Sequence, residues 1–163
     1  MVAALASPIT QFIRVTPVVS ASPDYGIDDV LGTLMTISSP FRGDGAGGIL
    51  NAINMVCDVD IPSGVTIDML FFDQNPTNST FTDNSALAVN VNDLPYMLPA
   101  VQLTTRIDLG TPCMLQATGF GGIPVENAAK QRKLYAVAVV RGAATLNLAA
   151  VDDVTFGFGF LPD

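Results

Sequence analysis

The sequence predicts an all-β domain: an eight-stranded antiparallel jelly-roll β-sandwich with one long, partly helical cross-over loop. Along most of the chain, apolar and polar residues alternate with the period of two that is typical of strands. The 14 glycines and 11 prolines favour turns. Glu126 is the only glutamate among the 15 acidic residues, and the aspartates that make up the rest favour turns and caps over helix interiors.

Turn residues divide the chain into eight expected strands. The short turn at 62–64 is expected to join the third and fourth strands as a hairpin. The alternation stops between residues 73 and 99, where 92–99 predict a short helix or 3₁₀ turn inside a connection like the long cross-over of a Greek key. The expected strands cover residues 9–20, 30–37, 49–59, 65–72, 100–107, 113–118, 134–141 and 154–160.

Two of these strands indicate that both faces of a sheet are covered. In 154–160, four large apolar side chains point one way, while Gly157 and Gly159 point the other and leave bare backbone on which another chain or a ring can pack. In 134–140 both faces are apolar, as in strands buried on two sides. The second cover of this strand is expected to come from a loop or from a neighbouring subunit.

Length and composition favour one domain over residues 1–163, with residues 1–8 as an extended N-terminal arm. Hydrophobic residues make up 49% of the chain and charged residues 13%, against about 25% charged in average soluble domains. So few charges indicate a surface that is largely covered by other copies or partners. The net charge of −8 argues against a nucleic-acid partner, because phosphate binding relies on lysine and arginine.

The N-terminal segment has no basic region of the kind that begins a signal peptide, so synthesis in the cytosol is expected. A membrane partner is not expected either. The longest apolar runs, such as 134–140, are far shorter than the roughly 18 residues of a membrane-spanning helix.

The residue types present leave little room for catalysis, and neither an enzyme activity nor a cofactor is expected. The chain has no histidine, which removes the usual catalytic triads and most zinc and iron sites. Cys57 and Cys113 are far apart in sequence and are expected to be free, buried thiols. Three carboxylate pairs are interpreted as solvated or structural: Asp28 with Asp29, Asp58 with Asp60, and Asp152 with Asp153.

Residues 73–79 place oxygen-bearing side chains at alternate positions, as a calcium loop does. Asn78 stands where such a loop has glycine, and Asn84 stands where it closes with glutamate. A turn stabilised by its own side chains is the other interpretation. The sequence leaves open whether this loop binds an ion.

Lys130, Arg132 and Lys133 form the only basic cluster. They are interpreted either as charges that protect the start of a very apolar strand from aggregation or as a dock for an acidic patch on a partner.

Segments 71–76, 80–87 and 134–143 and the last strand resemble stretches of small virion proteins of tailed bacteriophages. The similarity covers roughly the second half of the chain and the expected hairpin between the third and fourth strands. The resemblance implies a capsid decoration, or cement, protein. Such proteins are jelly rolls that trimerise on the outer surface of the head and bind the major capsid protein so that capsomers are held together. The family pattern carries no catalytic or cofactor-binding residues. The interface is expected to involve Met1, Val2, Ala3, Ala4, Leu5, Lys130, Arg132 and Lys133.

Three other functions stay open. The first is a receptor-binding or tail-associated jelly-roll virion protein. The second is a shell-forming coat protein, although residues 1–11 lack the basic arm that holds nucleic acid in that class. The third is a sugar hydrolase that uses one of the carboxylate pairs.

Overall fold

The computed structural model describes residues 11–38, 40–41, 46–117, 120–126, 132–142 and 144–162, and in these the chain forms ten strands and one 3₁₀ helix. The 3₁₀ helix, Val91–Tyr96, confirms the short helical turn expected in the long connection. The strands are β1 (Gln11–Val15), β2 (Met35–Ser38), β3 (Gly47–Cys57), β4 (Val65–Phe72), β5 (Val101–Leu103), β6 (Thr105–Asp108), β7 (Cys113–Gln116), β8 (Ile123–Glu126), β9 (Lys133–Gly142) and β10 (Val154–Pro162).

The strands form two antiparallel sheets, and the all-β prediction is confirmed. The six-stranded sheet has the order β1-β10-β3-β7-β6, with β8 also paired to β3. The four-stranded sheet has the order β2-β9-β4-β5. The pairing is nested along the chain: β1 pairs with β10, β2 with β9, β3 with β7 and β8, and β4 with β5.

The structure has ten strands where the sequence predicted eight, because one expected strand is divided and one was missed. The segment 100–107 divides at Thr104, so that β5 joins the four-stranded sheet and β6 joins the six-stranded sheet. Strand β8 pairs with the first part of β3 and was not predicted. The expected strand 30–37 begins only at Met35, because Gly32 adopts a left-handed φ of 82° that interrupts an extended strand.

The expected hairpin between the third and fourth strands is wrong. The turn itself exists, since the backbone NH of Val65 donates to the carbonyl of Pro62 at 3.2 Å. However, β3 belongs to the six-stranded sheet and β4 to the four-stranded sheet. The connection therefore carries the chain from one sheet to the other, and the two strands bury their apolar faces in the same core instead of pairing edge to edge.

The main core consists of side chains from both sheets. The rings of Phe71 on β4 and Phe158 on β10 meet edge to face, with their centroids 6.1 Å apart. Phe156 and Phe160 are also fully buried, as the alternation in β10 predicts. The other members include Leu50, Ile53, Met55, Ile67, Met69, Leu103, Leu115, Leu134 and Val140.

The outer face of the four-stranded sheet is covered by the chain itself. Residues 73–100, here called the cross-over, run from β4 to β5 and pack a second apolar cluster onto the outward side chains of β4 and β9. The ring of Phe81 lies 5.9 Å from that of Phe72. The second cover expected for β9 is thus a loop of the same chain. The cluster contains Val30, Leu70, Phe72, Phe81, Tyr135, Val137 and Val139.

We expect Phe81→Ala to lower the free energy of unfolding by about 3–5 kcal/mol, because it removes a buried ring and leaves a cavity over the sheet. Chemical denaturation of both proteins measures the difference. Val91→Ala is the matched control, since Val91 is 72% exposed on the same cross-over and its loss should change stability by less than about 0.5 kcal/mol. Equal stabilities of the two variants would show that the cross-over is not held by Phe81.

Candidate interaction surfaces

The cross-over is fastened to the loop before β2 by the carboxylate of Asp83. This carboxylate accepts hydrogen bonds from the hydroxyl of Ser20 at 2.5 Å, the hydroxyl of Tyr25 at 2.7 Å and the backbone NH of Gly32 at 2.6 Å. The left-handed conformation of Gly32 brings its NH within reach of Asp83. Three donors on one side chain hold it in a fixed orientation. Asp83 therefore fixes the position of the cross-over on the sheet.

A second carboxylate organises the cross-over from within. Asp93 is fully buried in the 3₁₀ helix and accepts from the backbone NH and side-chain amide of Asn78 and from the hydroxyl of Ser79. Burial opposes ionisation of Asp93, but the hydrogen bonds from Ser79 and Asn78 outweigh it and lower the pKa of the carboxyl. The Ser79 oxygen also accepts from the NH of Asn90.

This arrangement bears on the calcium loop considered at residues 73–79. One of its four oxygen-bearing side chains, Ser79, is engaged with Asp93, and Asn75 and Thr77 are exposed. Among the described residues there is no cluster of three or more histidine, cysteine or acidic side chains that could hold a metal ion. The side chains of Asn78 and Ser79 are thus held by Asp93, which lies outside residues 73–79, and ion binding by the loop stays a prediction.

We expect Asp83→Asn to destabilise the protein by about 1–3 kcal/mol, because the amide loses the negative charge and turns a donor towards groups that also donate. Protection of the cross-over amides against hydrogen exchange should fall more than protection of β10. Asp152→Asn is the control, because Asp152 is exposed and at a turn. An unchanged exchange pattern in Asp83→Asn would contradict this role of the carboxylate.

Cys57 and Cys113 are direct register partners on the neighbouring strands β3 and β7, and both are free and fully buried. Sequence separation hid this proximity, although the prediction of free, buried thiols is confirmed. Burial raises the pKa of the Cys57 thiol to about 11. Burial also raises the pKa of the Tyr25 hydroxyl, with its hydrogen bond to Asp83 adding to the effect. Both groups are therefore held in their neutral forms.

These two groups predict a loss of stability at alkaline pH. In the unfolded chain a cysteine ionises near pH 8.5, whereas Cys57 in the fold keeps its proton to about pH 11. Its contribution is complete below pH 8.5 and is lost as the pH rises towards 11, with a slope of at most about 1.4 kcal/mol per pH unit for one group. Denaturation at several pH values measures the slope. Cys57→Ala should reduce the slope of the unfolding free energy against pH between pH 9 and 10. An unchanged slope would contradict Cys57 as its cause.

Members of the three carboxylate pairs have structural partners, and two of the pairs adjoin, because the backbone NH of Asp58 donates to the carbonyl of Asp153 at 2.9 Å. Asp28 forms an ion pair with Arg141, which also bonds Asp68 at 2.8 Å. Asp60 forms an ion pair with Arg106 at the edge of the six-stranded sheet. The other contacts are those of Asp29 with the NH of Gly26 and of Asp153 with the NH groups of Ala149 and Ala150. These contacts favour the structural interpretation of the pairs.

The structure describes only part of the basic cluster. Lys130 lies outside the described residues, as do Met1, Val2, Ala3, Ala4 and Leu5 and the expected arm at 1–8. Arg132 is half-buried, and its guanidinium donates to the carbonyl of Phe41 at 3.0 Å. Lys133 is exposed at the first position of β9. Arg132 thus has a structural contact, while the role of the cluster in binding stays a prediction.

The outer face of the six-stranded sheet has a different character from that of the four-stranded sheet. The ring of Phe12 on β1 lies against Gly157 and Gly159 of β10: a Cβ atom at Gly157 would overlap the ring, whereas one at Gly159 would contact it at 3.6 Å and would meet the Cβ of Ala52 at 2.9 Å. A ring of the same chain is therefore one cover for the two glycines. Phe12 is still 44% exposed, and the guanidinium of Arg14 lies 5.1 Å from the centre of its ring.

No carboxylate stands among the described outward residues of β1, β10, β3 and β7, and Arg14 is the only charged one. A β-bulge adds to this surface, because Gly159 pairs with Ala52 and Phe160 with Leu50, which leaves Asn51 as an extra outward residue. Beside Phe12 there is a shallow depression of about 160 Å³. The surface, here called the uncharged face, consists of Phe12, Arg14, Asn51, Ala52, Asn54, Val56, Met114, Gln116 and Thr155.

Sequence reasoning did not find the uncharged face. Its signal is present in the alternation of β3, where Ala52, Asn54 and Val56 occupy the positions between core residues. Taken one at a time, these small or amide side chains do not indicate an interaction surface. Only the strand order shows that they meet Gln116 and Phe12 on one surface.

Comparisons with protein-family models, curated proteins and solved structures found no match to this chain. The resemblance to phage virion proteins therefore stays a prediction. In the part of the chain that the structure describes, no helix has the length and apolar character needed to span a membrane.

Proposed function

We propose that the chain is a virion structural protein that binds the outside of a tailed-phage capsid as a trimer and stabilises the contacts between capsomers. The uncharged face is the main support. A chain with a net charge of −8 has no carboxylate at the described outward positions of β1, β10, β3 and β7, and such a face suits contact with protein. The segments that resemble virion proteins suggest that this contact is made on a phage capsid.

We also propose that the two sheets form a jelly roll. In that fold eight strand positions form two sheets through Greek-key connections. The nested pairing supports it, because β1 pairs with β10 and β2 with β9, while the cross-over joins β4 to β5 at the inner end. Strands β7 and β8 pair with different parts of β3 and so share one position, and β6 adds an edge.

The proposed mechanism is adhesion without chemistry. Apolar area removed from water contributes about 25 cal/mol per Å², less the cost of association. Three copies on one site raise the strength of attachment by multivalency. A rigid sheet suits this task, because a preformed surface loses little conformational entropy on binding. The protein requires no cofactor in this role.

Electron cryo-microscopy of heads from the phage that encodes the chain tests the function. Heads made without the protein should lack density at the local three-fold positions, and the purified chain should restore it. Heat stability of the heads should fall and recover in parallel. Heads with the same density and stability in the absence of the protein would reject the function, and restored density on tails would favour the receptor-binding alternative.

The N-terminal arm has its own test in the same assay. We expect deletion of residues 1–7 to reduce occupancy on purified heads, because the arm is proposed to reach a neighbouring subunit. A chain in which residues 1–7 are replaced by a glycine-serine sequence of equal length controls for chain length alone. Occupancy equal to that of the full chain would reject the role of the arm.

A further inference from the structure

We propose that the uncharged face is the surface through which two copies of this chain associate. The contact is two-fold, so it joins two copies and is separate from the three-fold contact of the proposed trimer. It rests on the residues of the face and holds whether or not the protein binds a capsid. The occupant is a second copy, and the reasons are the charge, the hydrogen-bonding chemistry and the exposed aromatic ring of the face.

Charge decides which face two copies can share. Each copy carries a net charge of −8, so most approaches place carboxylates opposite carboxylates. Like charges brought together in an interface oppose binding strongly. Among the described residues, the outward positions of β10, β3 and β7 carry no charge, and Arg14 lies on the edge strand β1. This face lets a second copy approach without facing acidic groups.

The chemistry of the face is self-complementary. The side chains of Asn51, Asn54 and Gln116 each carry both donors and an acceptor, so that an amide can pair with the same amide of another copy. In a contact with two-fold symmetry each residue meets the same surface that it belongs to. A lysine or aspartate in these places could not pair with itself.

Phe12 supplies an anchor of the kind that interfaces use. Its ring is 44% exposed although it packs on Gly157, and it borders the depression that Asn51 and Gln116 also line. Exposed aromatic rings beside depressions are enriched among residues that dominate binding. A second copy would cover the exposed part of the ring.

The size of the face sets how much surface two copies can bury. The four strands that carry the face span about 14 Å and the nine residues of β10 about 30 Å, so the face offers roughly 400 Å² on each copy. Two such faces give roughly 800 Å², so residues around the face must add to the contact for it to reach the roughly 1,000 Å² of a specific interface. On the four-stranded sheet, by contrast, the cross-over covers the outward apolar side chains of β4 and β9.

The test adds carboxylates to the face without changing its shape. Asn51→Asp with Gln116→Glu replaces two amides by acids of equal size. The control, Asn75→Asp with Asn147→Asp, adds the same two charges at exposed positions away from the face. Light scattering and sedimentation over a concentration series, at about 0.15 M salt, measure association of the wild type and both variants. Circular dichroism and melting curves confirm that each is folded.

We expect the wild type and the control to associate and the face variant to associate at least tenfold more weakly. The face variant should recover part of its association near 1 M salt, where screening acts over about 3 Å. A monomeric wild type, or a face variant that associates like the control, would overturn the inference. If the double variant does not fold, Asn51→Asp alone gives the same comparison against Asn75→Asp.

Binding to heads separates this inference from the proposed function. A face variant that is monomeric but still decorates heads supports the self-contact and leaves the function standing. A wild type that associates but does not bind heads supports the self-contact and counts against the function. A face variant that keeps the wild-type oligomer but loses head binding would overturn the self-contact and assign the face to the capsid.

Discussion

Burial of β9 on both faces is the constraint on which the rest of the structure depends. Seven consecutive residues of β9, beginning at Leu134, are buried, so that neither side of this strand can face water. One side joins the core between the sheets, and the other needs a cover of its own. The cross-over provides it, and its 28 residues are long because they must span a sheet rather than join two neighbouring strands.

An irregular segment such as the cross-over makes few backbone hydrogen bonds of its own. Side-chain contacts must therefore hold it on the sheet. Asp83 and Asp93 supply them, each as an acceptor surrounded by donors. A buried carboxylate such as that of Asp93 is costly without partners, so its position depends on the donors around it. This coupling makes the cross-over one cooperative unit, because loss of Tyr25 would remove one of the three donors to Asp83 and loss of Ser79 would remove one of the donors to Asp93. The acidic composition of the chain thus has a structural component.

The sequence predicted what depends on local pattern and missed what depends on pairing partners. Alternation along β10 placed the core phenylalanines correctly, and the apolar run in β9 correctly required two covers. The hairpin from β3 to β4 failed because a turn fixes where a chain reverses but not which sheet it enters. The contact between Cys57 and Cys113 and the uncharged face arise from strands distant in sequence, and no local signal specifies that register.

The outer faces of the two sheets differ, because the cross-over covers apolar side chains of β4 and β9, whereas the uncharged face of the six-stranded sheet is exposed. An exposed, flat and uncharged sheet face favours indiscriminate association unless something limits its partners. The extra residue at Asn51 works against that outcome, because a bulge increases the local twist of β3 and bends the face away from flatness. A twisted surface stacks well only on a surface of matching twist. Amide side chains restrict the possible partner surfaces further, since each amide needs a partner that can both donate and accept hydrogen bonds once water is excluded. Low charge thus permits contact, while twist and hydrogen bonding restrict it to a complementary surface.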